Sequence, residues 1–378
     1  MANPLRAQFL LDPEVVFLNH GSYGACPRVV FERYQAWQAE LERQPVEFLG
    51  RRVEGLLAQA RAVFAAYVGA RADDLVFVEN TTAGVNVAAR ALGLGPGDEV
   101  LSTDLEYGAL NYMWERLCAQ AGARFVRAPV QLPTRGPDEI ADTVWAHAGP
   151  RTRAVFVSHL TSATGLVLPA AELCRRAREA GIVSIVDGAH VPGQLPLDLA
   201  SFGADVYVGN CHKWLCAPKG SAFLWVRPEL QDSIEALAVG WGFGEDSTFL
   251  TRNERQGTRD PAAYLAVPEA IRWQDEHGWD EVRARCHGLA GAARERLAGL
   301  TGLEPLAPPE LLAQMAAAPL PAGLDADALK ARLYDEFRIE VPVLVRGDER
   351  FLRASFQGYN DEDDLDALIA ALERLLLR

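Results

Sequence analysis

Short apolar runs alternate with longer amphipathic runs through the first two thirds of the chain, and this alternation restricts the fold more than any other property. Runs such as Ala154–His159 and Val183–Asp187 are almost continuously apolar, as in strands that are covered on both faces of a sheet. Strands that alternate with helices in this way predict a mostly parallel, seven-stranded α/β sheet flanked by helices. The other predicted strands are Leu75–Glu79, Glu99–Thr103, Arg124–Ala128, Asp205–Gly209 and Ala222–Val226.

The pattern changes after about residue 260, where long helices precede a Pro/Ala-rich link, a further helix and two strands. We expect this part to form a smaller α+β domain. Its last helix has Asn360 as the predicted N-cap, and the acidic run that follows complements the helix dipole. The predicted elements are the helices Ala262–Glu276 and Trp279–Leu300, the link Glu304–Ala322, a helix from Asp325, and the strands Val341–Val345 and Phe351–Phe356.

Charge and cysteine content exclude several classes of protein. The 37 basic and 51 acidic side chains give a net charge of −14 with no basic patch, which argues against a nucleic-acid binder. The six cysteines include no CxxC pair, so we expect neither a metal site nor a disulfide scaffold. No run of about 18 apolar residues and no signal peptide is found. We therefore expect a cytoplasmic protein without a membrane anchor.

Chemically active side chains follow the predicted strands. Ligands of a parallel sheet bind at the carboxyl ends of its strands, so these segments are expected to meet. They combine ionisable, hydroxyl and aromatic groups at one edge. The segments are Glu79–Gly84, Glu106-Tyr107, Ser158–Ser162, Asp187–His190 and Gly209–Trp214.

The segment Asn80–Gly84 lies between a strand and a helix. Threonine hydroxyls beside free N-terminal amides form an anion or phosphate site, although Thr and Asn are also ordinary helix caps. The usual nucleotide-binding motifs, GxxxxGK[ST] and GxGxxG, do not occur in the sequence. By itself this segment therefore leaves both interpretations open.

Lys213 is one of only three lysines in the chain and lies between His212 and Trp214. A lone lysine commonly extends from a sheet edge into solvent, but an apolar setting lowers an amine pKa and makes it nucleophilic. Asp187 ends another strand, where it could cap a helix or pair with a protonated ring nitrogen. An amine, a carboxylate and an anion site together are what pyridoxal 5'-phosphate (PLP) requires.

These segments, together with Leu18–Gly24 and Gln256–Leu265, resemble the class V aminotransferase family of fold-type I PLP enzymes, and within it the isopenicillin N epimerase-like proteins. The resemblance extends from about residue 15 to the C-terminus. It implies a fold-type I α/β architecture with an N-terminal arm (1–18) on a small C-terminal domain (280–378), and a large PLP-binding domain (19–279). It also implies a homodimer.

The resemblance assigns roles to individual residues. Lys213 would form the Schiff base, Asp187 would bond the pyridinium nitrogen, and Tyr107 would stack on the ring. Asn19, Tyr23 and Arg353 lie on the substrate side, with Arg353 binding the α-carboxylate of a small amino-acid substrate. Gly257 and Thr258 would contribute to the neighbouring subunit's site. The remaining cofactor contacts are assigned to Thr81, Thr82, Ala83, Ser162, His190 and His212.

The implied chemistry starts at the α-carbon of an amino acid and leads to epimerisation, transamination or elimination. An epimerase that uses two bases needs a second acid, for which Tyr107, His20 and Tyr23 are candidates. A carbon–sulfur lyase acting on a cysteine derivative is the main alternative. A desulfurase with a cysteine nucleophile in the last third is disfavoured, because the last cysteine is Cys286. A non-catalytic PLP or amino-acid binding protein is a third possibility.

Overall fold

A computed structural model describes residues 3–376, and the outermost residues of the predicted arm and small domain (1–2 and 377–378) lie outside that range. Twelve strands occur within it. They are β1 Val16–Phe17, β2 Leu75–Val78, β3 Glu99–Thr103, β4 Arg124–Ala128, β5 Thr152–Ser158, β6 Val183–Asp187, β7 Val206–Asn210, β8 Ala222–Val226, β9 Met315–Pro319, β10 Ile339–Glu340, β11 Val343–Arg346 and β12 Glu349–Ser355.

Fifteen α-helical segments lie in the same residues, with a π-helical turn at Phe48–Arg52. They are α1 His20–Tyr23, α2 Arg28–Arg43, α3 Pro45–Glu47, α4 Val53–Tyr67, α5 Thr81–Ala91, α6 Gly108–Ala121, α7 Pro137–Trp145, α8 Ala170–Glu179, α9 Leu199–Phe202, α10 Phe249–Glu254, α11 Ala262–Leu265, α12 Val267–Glu276, α13 Trp279–Thr301, α14 Ala326–Phe337 and α15 Glu362–Leu376.

The seven expected strands form one sheet in the order β2-β8-β7-β6-β5-β3-β4. Strands β3 to β7 are parallel, whereas β8 runs antiparallel to both β2 and β7. Apolar side chains pack on both faces, with Phe64 and Tyr207 in one layer and Trp114 and Phe156 in the other. This two-sided burial explains the continuous apolar runs and confirms the predicted α/β class.

A second sheet has the order β11-β12-β9 and is antiparallel. Strand β9 lies inside the segment that was predicted to be a Pro/Ala-rich link. This part of the segment is a strand because its alanines pair with β12 and are buried. The expected single helix at Ala262–Glu276 is two helices, α11 and α12, which meet at Ala266. Pro268 lies in the first turn of α12, where proline is tolerated.

The predicted capping role of Asn360 is wrong. The Asp361 carboxylate accepts from the Asp364 amide, and the Asn360 side chain is buried and bonds the amide of Gln357 and the carbonyl of Phe17. Asn360 therefore ties the start of α15 to the N-terminal segment. The same segment pairs through β1 with β10.

The domain limits at residues 18 and 279 stay a prediction. None of the helices within residues 3–376 is long and apolar enough to cross a membrane.

Candidate active site

The carboxyl ends of β5, β6 and β7 and the start of α5 surround a cavity of about 500 Å³. Most of the predicted site residues line it, although they come from segments far apart in the chain. Those that do are Tyr23, Thr81, Thr82, Tyr107, Ser162, Asp187, His190, His212 and Lys213. The sheet thus brings the predicted anion site, carboxylate and amine together.

One end of the cavity is suited to an anion. The Asn80 side chain caps α5 by accepting from the Ala83 amide at 2.8 Å, and Asn210 Oδ1 accepts from the Thr81 amide at 2.9 Å. The Thr81 hydroxyl is buried and has no hydrogen-bond partner within the described residues. A buried donor left without a partner is costly, and a phosphate oxygen at the start of this helix would satisfy it.

His212 faces the same end of the cavity. Its Nδ1 lies 2.9 Å from the Ser221 carbonyl, which directs the Nδ1 proton there and leaves Nε2 for a ligand. Burial lowers the pKa of His212 to about 4. A bound phosphate would oppose this shift, because an adjacent negative charge favours the protonated ring. The predicted contact through Ala83 has less support, since its amide is already used by Asn80.

Asp187 ends β6 and is 4% exposed. Its Oδ1 accepts from the Ala189 amide at 2.8 Å, and burial raises the pKa of this carboxyl group. The next residue must be small, because a Cβ at Gly188 would overlap the Tyr207 ring. A buried carboxylate at this position is suited to a protonated ring nitrogen, whose charge would return its pKa toward the ordinary range.

The Lys213 amine lies 3.2 Å from His190 Nε2, and the other ring nitrogen of His190 accepts from the Trp214 indole at 3.2 Å. Burial and the Arg353 charge lower the pKa of Lys213, whereas Asp187 raises it. The lowered pKa gives the predicted nucleophile a larger fraction of free amine near neutral pH than an exposed lysine has.

The backbone of Lys213 is held by the N-terminal segment. His20 Nε2 lies 3.0 Å from the Lys213 carbonyl and His20 Nδ1 lies 3.0 Å from the Tyr359 hydroxyl. Gly24 has a φ of +71°, and a Cβ there would overlap the His212 carbonyl. Because both ring nitrogens of the buried His20 are occupied, it is not suited to be the second acid. Tyr107 and Tyr23, which are 46% and 76% exposed, remain.

Arg353 lies on β12 of the smaller sheet and is 2% exposed, and it adjoins the cavity through two of its lining residues rather than lining it itself. It donates to the Ser162 carbonyl and, at 3.2 Å, to the Ser22 hydroxyl, and both serines line the cavity. Its Nε is buried with no hydrogen-bond partner among residues 3–376. Burial lowers the pKa of this guanidinium to about 10. A carboxylate in the cavity would supply the missing acceptor and charge.

Asn19 and Thr258 lie elsewhere. The Asn19 amide accepts from Ser22 at 2.5 Å and donates to Glu340 at 2.9 Å, and it lines a neighbouring cavity of about 430 Å³. Exposed Gly257 and Thr258 line a third cavity with Trp241. Within the single chain, these residues do not contribute to the main cavity.

Sequence analysis named Glu106 among the strand-end residues but assigned it no role, and the structure shows it as a buried carboxylate behind the cavity. Glu106 accepts from the Thr103 hydroxyl at 2.7 Å and from the Ser158 amide at 2.9 Å, and it also bonds the Ser158 hydroxyl. Burial raises the pKa of Glu106 to about 7. Its place before Tyr107 at a strand end was the available signal. Asn210 and Ser22 were missed because their contacts join distant segments.

Comparison with known proteins identifies this arrangement. The family model Aminotransferase class-V matches residues 25–368. Isopenicillin N epimerases of Amycolatopsis lactamdurans and Streptomyces clavuligerus are 43% and 42% identical, each over 98% of this chain and 97% of the relative. A probable chloroplastic L-cysteine desulfhydrase of Arabidopsis thaliana is 29% identical over 97% of this chain and 84% of the relative.

Solved structures agree with the fold. A lysine-to-alanine mutant of C-DES, with glycine covalently linked to its PLP cofactor, superposes with a TM-score of 0.87 at 25% identity over 98% of this chain and 99% of that one. A cysteine desulfurase of Thermococcus onnurineus NA1 gives 0.85 at 22% identity over 100% and 99%. The unpartnered Thr81 hydroxyl, the buried Asp187 carboxylate and the Lys213 amine also fit PLP. The chain belongs to the class V aminotransferase family of PLP-dependent enzymes.

Proposed function

We propose that this enzyme inverts the configuration at the α-carbon of an amino-acid-like substrate. This is the type of reaction that the name of its relatives, isopenicillin N epimerase, describes. One observation carries the proposal. The buried Arg353 guanidinium, with its unpartnered Nε, adjoins the cavity that the Lys213 amine lines. A carboxylate held by Arg353 would present its own α-carbon to that cavity, which is the requirement for α-proton chemistry.

PLP, when bound, withdraws electrons from the α-carbon and so makes its proton acidic. Thr81, Thr82 and His212 would hold the phosphate, Asp187 the ring nitrogen, and Lys213 the aldehyde. The supporting observations are the free hydroxyl of Thr81, the burial of Asp187 and the location of all five at one cavity.

The protein's own groups would move the proton. Lys213 acts as general base, because a lowered pKa gives a larger fraction of free amine near neutral pH. Tyr107 or Tyr23, both lining the cavity with exposed side chains, would return a proton. Arg353 would bind the substrate carboxylate. Ser22, which accepts a hydrogen bond from Arg353, is oriented by its own hydrogen bond to Asn19.

The test is incubation of the holoenzyme in deuterated water with isopenicillin N and with each of the twenty amino acids and their D-forms. An epimerase yields the inverted isomer with deuterium at the α-carbon, detected by chiral chromatography and mass spectrometry. An oxo acid would instead identify a transaminase, and pyruvate with a sulfur fragment a lyase. Failure to exchange any α-hydrogen would contradict the proposal. Lys213→Ala is the inactive control.

Cysteine positions do not favour desulfurase chemistry. All six thiols are free, five of them are buried, and no cysteine lines the main cavity within residues 3–376. The half-buried Cys26 has a pKa raised to about 12, chiefly by burial, which disfavours the nucleophilic thiolate. Free thiols are also in keeping with the predicted cytoplasmic location.

We infer further that the active unit is a homodimer in which Thr258 completes the partner's phosphate site. Trp241 lines the same cavity as Thr258 and is exposed, as are Leu237 and Val239 in the same segment, as expected for a surface that a second copy covers. The test mixes Lys213→Ala with Thr258→Glu subunits. If Thr258 acts across the interface, mixed dimers regain one intact site and activity returns. Sedimentation as a monomer, or no recovery after subunit exchange, would contradict it.

A further inference from the structure

The buried His190 ring lies between the Lys213 amine and the buried Trp214 indole, and the hydrogen bonds along this row have a direction. The Trp214 indole Nε1 lies 3.2 Å from His190 Nδ1, and Lys213 Nζ lies 3.2 Å from His190 Nε2. Trp214 is fully buried and His190 is 2% exposed, so water does not compete for the hydrogen bond between the two rings.

The indole determines which nitrogen of His190 carries the proton. An indole N–H can only donate, so His190 Nδ1 must offer its lone pair. A neutral imidazole with an unprotonated Nδ1 carries its proton on Nε2. The ring stays neutral because burial, and to a smaller extent the charge of Arg353, lowers its pKa. The Nε2 proton therefore points toward the Lys213 amine.

This direction selects one protonation state of Lys213. A free amine accepts the Nε2 proton through its lone pair, whereas an ammonium would present only donors to another donor. Of the charged groups that act on the amine, Arg353 also disfavours the ammonium and Asp187 favours it. The histidine thus favours the free amine of Lys213 over the ammonium, as Arg353 does.

Trp214 is itself held from several sides. The His20 ring packs against it at a centroid distance of 4.9 Å, and Gln274 Nε2 donates to its carbonyl at 2.9 Å. A Cβ at Gly193 would overlap the same carbonyl. The backbone of Trp214 and one side of its indole are therefore held by groups other than His190, which favours the indole imposing a tautomer rather than adapting to one.

We propose that Trp214 is a positioning residue that keeps the His190 proton on Nε2, so that the imidazole donates to Lys213 and holds it as the free, nucleophilic amine. The functional consequence rests on the proposed role of Lys213. The tautomer does not, because it can be measured without turnover.

The first test is ¹⁵N NMR of the full chain labelled with ¹⁵N-histidine, both cofactor-free and loaded with PLP, with His190 assigned from a His190→Gln spectrum. The wild type should show a protonated Nε2 and a bare Nδ1. Trp214→Phe keeps the ring packing and removes the donor, so both tautomers should appear. Trp273→Phe is the matched control, since Trp273 is also a buried tryptophan and its indole donates to Gln8 at 2.7 Å, away from the cavity.

The second test measures how fast Lys213 is reductively methylated in the cofactor-free full chain as a function of pH, by peptide mass spectrometry. In Trp214→Phe, His190 Nε2 can accept from the ammonium, so the midpoint should rise by about one pH unit, with roughly tenfold less free amine below it. Trp273→Phe should match the wild type.

A protonated Nδ1 in the wild type would overturn the proposal and needs no variant to observe. An unchanged tautomer and midpoint in folded Trp214→Phe would overturn it as well. These outcomes are separate from those of the proposed epimerase. A chain that exchanges no α-hydrogen could still show the predicted tautomer, and an active epimerase could lack it.

Discussion

Replacing Arg353 with glutamine should weaken catalysis through the substrate carboxylate alone. In the structure, Nη1 donates to the carbonyl and the hydroxyl of Ser162, Nη2 donates to the Ser22 hydroxyl, and Nε is left without a partner among residues 3–376. The Nε side of the guanidinium can therefore make two charge-assisted bonds to a carboxylate, each contributing about 1.5–3 kcal/mol. Relief of a buried, unpaired charge in the variant offsets part of this loss.

The net effect is about 3–4 kcal/mol, so we expect kcat/KM to fall by roughly 10²- to 10³-fold. The assay compares a substrate with its α-carboxamide in the wild type, Arg353→Gln and Arg350→Gln. Arg350 lies on the same strand but bonds backbone carbonyls of Leu324 and Gly347, so its variant serves as the control. An equal loss of kcat/KM for the acid and the carboxamide in Arg353→Gln would contradict a direct contact between Arg353 and the carboxylate. A loss of less than tenfold for the acid would contradict it as well.

Three other changes test the surroundings of the site. Burial raises the pKa of Glu106 from 4.5 to about 7, so the folded chain binds an extra proton and loses stability as pH rises from 4.5 to 7. In Glu106→Gln, the free energies of unfolding measured with urea at pH 5 and pH 7 should therefore differ less than in the wild type. Gly188→Ala should lower the free energy of unfolding by roughly 1–3 kcal/mol through overlap with Tyr207, whereas Gly299→Ala, in open space on α13, should raise it by up to about 1 kcal/mol. Borohydride should attach the cofactor to Lys213 in the holoenzyme, and peptide mapping of Lys213→Ala should find no modified lysine.

Local patterns predicted the large sheet well. Four strands have the predicted limits, and two of them, Val183–Asp187 and Ala222–Val226, were recognisable because strands buried on both faces are almost continuously apolar. Strand β9 was missed because alanine and proline have low strand propensity, and only pairing with β12 makes that segment extended. Asn360 was misassigned because capping residues are alike in sequence, and its bond to Phe17 joins opposite ends of the chain.

The alternation of strands and helices follows from local apolar patterns, and it implies that Thr81, Asp187 and Lys213 meet, because parallel strands all end at one edge of a sheet. The arrangement of these groups for chemistry depends instead on contacts between distant parts of the chain. The tertiary structure brings Arg353 from another sheet, leaves its Nε unpartnered, and directs the Trp214 indole at His190. Such contacts require residues far apart in the chain to be placed to within a few tenths of an ångström. That precision follows from packing rather than from local sequence pattern.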